Sequence, residues 1–254
     1  RSHLAAGARG LSLQTENPFP WLLPFLDGLS EAGLAGALDE LHIRTIPWLL
    51  LRQRAALEAA IARCAALGIQ LVLGQIGFEA FDDRSLLAYH KGIDAASNRR
   101  AARLLGELEA GNRGVFVGTA GHGLIPLHPW SRPEDLLENL AALRADAPWL
   151  LPDLGPGRRL ELYNEWTPIF WKAQDEGLLE PAPDWFGWGW RFADERTGEV
   201  VAVASALLRE LPERRPEDAA TLLGAAARLR LEVPDPNERR ARILALRAGL
   251  RAGL

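Results

Sequence analysis

The sequence predicts an α/β protein, and most specifically a (β/α)8 TIM-like barrel. Short apolar runs alternate with helical patterns along most of the chain, and repeated strand–helix–strand units predict parallel pairing with crossover connections. Roughly eight candidate strands fit into the chain, and its 254 residues are an ordinary length for one barrel. We therefore predict a single barrel domain that spans residues 1–254.

The candidate strands are short segments rich in aliphatic and β-branched residues. In chain order they are residues 10–15, 41–48, 69–75, 114–120, 159–166, 188–192, 199–204 and 229–233. Helical patterns lie between most of these strands. The clearest helix ends at Gly68, because glycine is the residue most often found just past a helix C-terminus. Another begins near Ser131 and Glu134, whose spacing is that of a capping box.

One stretch departs from the regular alternation. The sequence FGWGWRFADERTGEVVAVA reads as two strands joined by a short polar turn, which is typical of an antiparallel hairpin. A regular barrel has no such hairpin. We therefore predict an irregular barrel with a β-hairpin insertion around residues 186–204.

Composition limits the classes of partner. The net charge is −4 and no basic stripe is present, which argues against nucleic acid. No apolar run is long enough to cross a membrane, so we expect a soluble protein, either cytoplasmic or secreted. The lone Cys64 cannot form an intramolecular disulfide. No zinc motif and no glycine-rich phosphate loop occurs, so we predict no metal and no cofactor. The oligomeric state stays open.

Two predicted strands carry charged side chains on the face that would point into a barrel. Alternation places His42 and Arg44 on that face of one strand, and Glu161, Tyr163 and Glu165 on that face of another. Glu165 stands at the carboxyl end of its strand, where barrel enzymes hold their active sites. It is therefore a candidate catalytic acid/base. The alternative is a structural carboxylate paired with an arginine.

A glycosidase uses two carboxyl groups, about 5 Å apart for retention of configuration and about 6.5–9.5 Å apart for inversion. The partner of Glu165 would be Glu16 or Glu79, each of which follows another strand pattern. The candidate substrate-binding residues are the aromatic, amide and imidazole side chains near the predicted strand ends. They are Asn164, Trp166, Trp130, His122, His128, Tyr163 and Trp48.

Two segments resemble known families. The stretch NEWTPIFWKAQDEGLLEPAPDWFG resembles the NEW…EG…LEP…FG segment of endo-mannosidase-like glycoside-hydrolase barrels. That resemblance implies a sugar-cleaving enzyme with Glu165 as its acid/base. The stretch ERTGEVVAVASALLR resembles the opening hairpin of EAL-type cyclic-dinucleotide phosphodiesterase barrels, although the metal-binding acids of that family are absent. This second resemblance implies a non-catalytic binding or regulatory module.

From these observations we expect a barrel that binds a small molecule or an oligosaccharide, and a glycoside hydrolase in particular. Nine tryptophans support sugar stacking. Whether the barrel is catalytic is left open by the sequence. The alternatives are an inactive, degenerate EAL-like module and an engineered barrel, which the absence of methionine permits.

Overall fold

The structure is a computed structural model that describes residues 7–162, 167–181, 188–211 and 213–251. The chain divides into two compact units. The first comprises the chain up to Phe78 together with Ala96–Gly123. The second comprises Glu79–Ala95 and the chain from Leu124 onward. The prediction of a single domain stays a prediction.

The described strands are short. They are β1 (Gly10–Ser12), β2 (Glu40–Arg44), β3 (Gln70–Gln75), β4 (Gly77–Glu79), β5 (Phe116–Val117), β6 (Gly123–Leu124), β7 (Leu179–Glu180) and β8 (Gly189–Trp190). The helices are α1 (Phe19–Glu31), α2 (Pro47–Arg52), α3 (Arg54–Leu67), α4 (Asp83–Ala88), α5 (Ala95–Gly111), α6 (Pro133–Asp146), α7 (Pro168–Asp175), α8 (Glu195–Glu210), α9 (Asp218–Glu232) and α10 (Pro236–Arg251). Short 3₁₀ turns occupy Ala35–Ala37 and Pro148–Asp153.

The first unit is built on a parallel sheet with the strand order β1-β2-β3-β5. The order follows the chain, and helices connect the strands, which is the repeated strand–helix–strand unit that the sequence predicts. Leu41 of β2 lies opposite Leu71 of β3, and Leu71 lies opposite Phe116 of β5. The predicted α/β class with mainly parallel strands is confirmed. Within the described residues these strands form an open sheet and not a closed eight-stranded barrel.

The helices of the first unit bury one face each. In α1 the buried side chains are Phe19, Leu22, Leu26 and Leu29, a spacing that places them on one side of a helix. Helix α3 packs against α1 and ends as predicted. Gly68 follows it with a φ of 69°, a left-handed conformation that costs glycine little.

The second unit is mostly helical in its described parts. Helix α9 packs against α6 and α8, and its Gly224 lies where a Cβ would stand 2.3 Å from a Leu140 methyl carbon. No helix in the described parts of the chain is long and apolar enough to cross a membrane.

Two predicted strands are wrong. Residues 199–204 lie in α8 and most of 229–233 lies in α9. The predicted hairpin around residues 186–204 is therefore wrong as well, and the EAL-like opening hairpin is a helix. Strand β8 instead pairs antiparallel with β7, with Trp190 opposite Leu179. Of the predicted strand 159–166, Arg159 and Leu162 make isolated bridges, and residues 163–166 lie outside the described residues.

Candidate functional site

The parallel sheet of the first unit has one apolar face and one polar face. In β2, Leu41 and Ile43 are buried, whereas the intervening His42 and Arg44 are only partly covered. The same alternation continues in β3, where Leu71 and Leu73 are fully buried. The predicted division of β2 between two faces is thus correct. We call the side that carries His42 and Arg44 the polar face.

Arg44 ends β2 on this polar face. Its Nε atom is buried and has no hydrogen-bond partner. The hydroxyl of the adjacent Thr45 is buried without a partner too, and Thr45 is only 3% exposed. Buried polar groups are almost always hydrogen-bonded. Two unsatisfied groups at one strand end therefore mark a place where a further polar partner would be stabilising.

Space on the polar face is kept by a glycine. A Cβ added at Gly74 of β3 would meet only His42 Nδ1, at 3.7 Å. The other nitrogen of that imidazole, Nε2, lies 3.0 Å from Glu40 Oε2. The backbone of β3 is thus accessible at the carboxyl end of the sheet, which is the edge where parallel α/β sheets bind ligands.

A glycine-rich loop follows β5 and is fixed by His122. The Ile76 N–H donates to His122 Nδ1 at 2.9 Å, so Nε2 carries the hydrogen and donates to the Gly118 carbonyl at 2.7 Å. Both ring nitrogens of His122, a candidate ligand-binding residue, are therefore hydrogen-bonded to backbone groups. Gly121 has a φ of 77°, and a Cβ there would lie 2.7 Å from the Gly74 oxygen. Only glycine fits that close approach.

The second unit holds a cavity of about 1050 Å³. Trp130 and His128 lie in its wall. Trp130 is 8% exposed, and its Nε1 donates to Glu176 at 2.5 Å. Lys172 Nζ lies 4.1 Å from the centre of its ring. This indole is therefore occupied by neighbours on its edge and on one face, and it is not an open platform for a sugar ring.

His128 is buried and neutral. The Trp130 N–H donates to its Nδ1 at 3.3 Å, and its Nε2 donates to Ser85 Oγ at 3.0 Å. Burial, together with the nearby Arg84 and Lys172, lowers the pKa of His128 to about 3. Because Nε2 carries the hydrogen in this pair, the imidazole is not placed to take a proton from the serine.

The predicted carboxylates do not form a described pair. Glu16 is exposed in the first unit. Glu79 belongs to the second unit, where it forms an ion pair with Lys91 and has a φ of 57°. Glu165 lies outside the described residues, as do Tyr163, Asn164 and Trp166. Trp48 is 44% exposed on α2. The roles assigned to these residues stay predictions.

Gly74, Lys172 and the cationic wall of the cavity carry no local signature in the sequence. Residues that are far apart in sequence line that wall, including Arg84, Arg132, Lys172 and Arg230. No local spacing could have revealed it. The unpartnered Nε of Arg44 was equally invisible, although the position of Arg44 on the polar face was predicted.

The described residues contain no group of three or more metal-ligating side chains close enough to hold a metal ion. Cys64 is fully buried on α3, and burial raises the pKa of its thiol to about 11. A protonated, inaccessible thiol is a poor metal ligand.

The fold is thus a parallel α/β sheet whose carboxyl edge carries unsatisfied polar groups. No protein-family model matches the sequence, and no curated protein matches it. Solved structures do share the fold. The cobalamin-dependent S-adenosylmethionine radical enzyme OxsB with aqua-cobalamin bound has a TM-score of 0.54 at 16% identity, over 98% of this chain and 44% of that one. OxsB with both aqua-cobalamin and S-adenosylmethionine bound gives 0.52 at 15% identity, over 96% and 44%.

These likenesses correct the functional expectation. The chain is similar in fold to a radical enzyme and not to glycoside hydrolases. The resemblance of the NEW…EG…LEP…FG segment to endo-mannosidases is therefore wrong, and so are the expected glycosidase activity and carbohydrate binding. The match spans less than half of the OxsB chain.

Proposed function

We propose that this chain binds S-adenosylmethionine, or a closely related molecule, at the carboxyl edge of the parallel sheet in the first unit. Two observations of different kinds support the proposal. OxsB, to which the chain is similar in fold over 96% of its length, has been solved with S-adenosylmethionine bound. Parallel α/β sheets bind their ligands at the carboxyl ends of the strands.

The observation that carries the proposal is the buried Nε of Arg44, which has no hydrogen-bond partner. A buried N–H donor without a hydrogen-bond partner is costly, and a carboxylate that accepts from it relieves that cost. S-adenosylmethionine carries a carboxylate at one end, which a guanidinium binds with two parallel hydrogen bonds. Arg44 is therefore proposed to hold the amino-acid end of the ligand.

Gly74 is proposed to give the ligand room. A Cβ at this position would meet only His42 Nδ1 within 4 Å, so a ligand group can lie beside β3 where another residue would place its side chain.

The residues of this chain do not fit the iron–sulfur cluster on which radical chemistry with S-adenosylmethionine draws. Radical chemistry with S-adenosylmethionine draws on iron–sulfur clusters, and such clusters are held by several cysteine thiolates. This chain has one cysteine, Cys64, and it is buried with a raised pKa. We therefore assign ligand binding to the polar face and derive no radical step from it.

Calorimetric titration with S-adenosylmethionine tests the proposal. We expect saturable binding to the unaltered protein. Arg44→Gln should weaken it by about ten-fold or more, because a charge-assisted hydrogen bond contributes roughly 1.5–3 kcal/mol. Gly74→Leu should also weaken binding, because its side chain would fill the open space beside His42.

The matched controls are Arg54→Gln and Gly36→Leu. Arg54 is an exposed arginine on α3 that pairs with Glu58, and a Cβ added at Gly36 would meet no atom within 4 Å. Both should bind as the unaltered protein does. Equal affinities for Arg44→Gln and Arg54→Gln would contradict the proposal. So would binding of aqua-cobalamin, but not of S-adenosylmethionine, with the same dependence on Arg44.

A further inference from the structure

The cavity of the second unit has an unusual lining. We call it the Trp130 cavity, and it encloses about 1050 Å³, which is large enough for a small-molecule ligand. Five cationic side chains line it, against three acidic ones. The cations are Arg84, Arg132, Lys172, Arg196 and Arg230, and the acids are Asp194, Glu195 and Glu199.

On the α8 side of the cavity the charges are paired with one another. Arg196 binds Asp194 at 2.6 Å and Glu134 at 3.0 Å. Arg230 binds Glu199 at 2.6 Å. These cations have carboxylate partners already, so they offer little to an additional anion.

At the Trp130 end the cations are held by other groups. Lys172 lies over the Trp130 ring, and its nearest carboxylate oxygen, on Glu176, is 3.9 Å away. An aromatic ring attracts an ammonium group without accepting its N–H hydrogens as a carboxylate would. Lys172 is thus positioned while its donors stay available.

Arg84 is fixed in a similar way. Its Nη2 donates to the Trp130 carbonyl at 2.5 Å, and its Nε donates to Asp135 at 3.2 Å. Asp135 also accepts from the Arg132 N–H at 2.9 Å, so this carboxylate is shared. Guanidinium donors of Arg84 remain beyond those two bonds. Arg132 also lines the cavity, and after Arg196 it contributes to the lowered pKa of Asp194.

The local charge balance at this end is positive. Three cationic side chains line this end, against two nearby carboxylates: Glu176 accepts from the Trp130 indole, and Asp135 accepts from the Arg84 side chain and the Arg132 backbone N–H. Buried His128 below them has a lowered pKa, to which Arg84 and Lys172 both contribute after burial itself. An anion placed between these cations would meet donors that are already ordered, which reduces the entropy cost of binding.

We propose that the Trp130 end of this cavity binds the phosphate group of a small molecule, a phosphate monoester or a diphosphate, through Lys172, Arg84 and Arg132. A tetrahedral dianion accepts from several donors at once, and arginine and lysine are the residues that bind it. This site is separate from the polar face of the first unit, and the proposal does not depend on S-adenosylmethionine binding there.

Calorimetric titration of the full chain with inorganic pyrophosphate tests this inference. The unaltered protein should bind pyrophosphate saturably, and Lys172→Gln should weaken binding by about ten-fold. Lys172 is about half exposed, so the substitution should leave the fold intact. Arg242→Gln is the charge-matched control, because Arg242 forms an exposed pair with Glu238 on α10. Its affinity should stay within about two-fold of the unaltered protein.

Three outcomes would overturn the inference. The first is no saturable binding up to ~10 mM pyrophosphate. The second is equal affinity in Lys172→Gln and Arg242→Gln. The third is tighter binding of malonate than of pyrophosphate at the same site, which would assign it to dicarboxylates. Arg44→Gln should leave pyrophosphate binding unchanged, so loss of binding in that variant alone would move the anion site to the first unit.

Discussion

His128 shows how burial fixes the hydrogen bonds and the protonation state of a side chain. The sequence marks it as a ligand-binding candidate because it lies in a glycine- and proline-containing segment. The structure instead gives both ring nitrogens a partner, the Trp130 N–H and Ser85 Oγ. Burial keeps the His128 imidazole neutral in the folded protein, whereas the same side chain takes up a proton at its ordinary pKa in the unfolded chain. The folded and unfolded states therefore bind different numbers of protons.

Stability should therefore depend on pH through His128. Its folded pKa of about 3 lies below the ordinary value of 6.5, so between these pH values the unfolded chain binds more protons. The free energy of unfolding should fall as the pH drops from 6.5 towards 3. Between pH 7 and pH 5 the loss due to this group is about 2 kcal/mol. Urea denaturation at both pH values measures it.

In His128→Gln that loss should disappear, whatever the absolute stability of the variant. His90→Asn is the control, because His90 lines the same cavity but is exposed, and asparagine tolerates its φ of 53°. This control should keep the pH dependence of the unaltered protein. An unchanged slope in His128→Gln would show that His128 titrates in the folded state.

At the scale of elements, α8 is the clearest difference between expectation and structure. The run EVVAVA is rich in β-branched residues, which favour strands. The buried residues Thr197, Val200, Ala204 and Leu207 nevertheless recur with helical spacing. Asp194 starts the helix, because its side chain accepts from the Arg196 N–H at 3.0 Å. The cap and the burial pattern outweigh the intrinsic preference of valine.

The cap of α8 makes a specific prediction. Asp194→Ala removes the acceptor at the helix start and should lower the free energy of unfolding by about 0.5–2 kcal/mol. Asp194→Asn should retain most of the stability, because asparagine caps helices as well as aspartate does and the lost ion pair with Arg196 is partly exposed. Thermal and urea denaturation of both variants measure the difference. Equal losses in the two variants would assign the effect to the ion pair.

Local patterns predicted some elements and misplaced others for identifiable reasons. Gly68 ends α3 as expected, because a left-handed C-terminal residue is a local requirement. The capping box expected from Ser131 and Glu134 is displaced by one residue. Asp135 accepts from the Arg132 N–H, and Ser131 Oγ instead binds the Pro126 carbonyl and the His128 N–H. Tertiary partners of Ser131 decided the register.

At the scale of the whole molecule, the parallel α/β class was predictable, because local patterns typical of strands and of helices alternate along the sequence. Whether the sheet stays open or closes into a barrel was not predictable, because closure depends on long-range strand pairing that no local pattern specifies. Of the two candidate sites, one was predictable from a local pattern and the other was not. The polar face of β2 follows from alternation at His42 and Arg44. The Trp130 cavity joins Arg84 to Lys172, which are 88 residues apart in the chain, and only folding brings them together.

The single-domain organisation predicted from the sequence can be tested with Cys64. This thiol is fully buried in the first unit and has a pKa of about 11, so a thiol reagent modifies it only when that unit opens. Asp194→Ala destabilises the second unit. If the chain unfolds as one cooperative domain, a loss of about 1 kcal/mol raises the population of open molecules, and with it the labelling rate of Cys64, by about five-fold. Asp194→Asn is the control and should label at close to the rate of the unaltered protein. A labelling rate that stays the same in Asp194→Ala, while its second unit melts earlier, would contradict the single-domain prediction and assign separate stabilities to the two units.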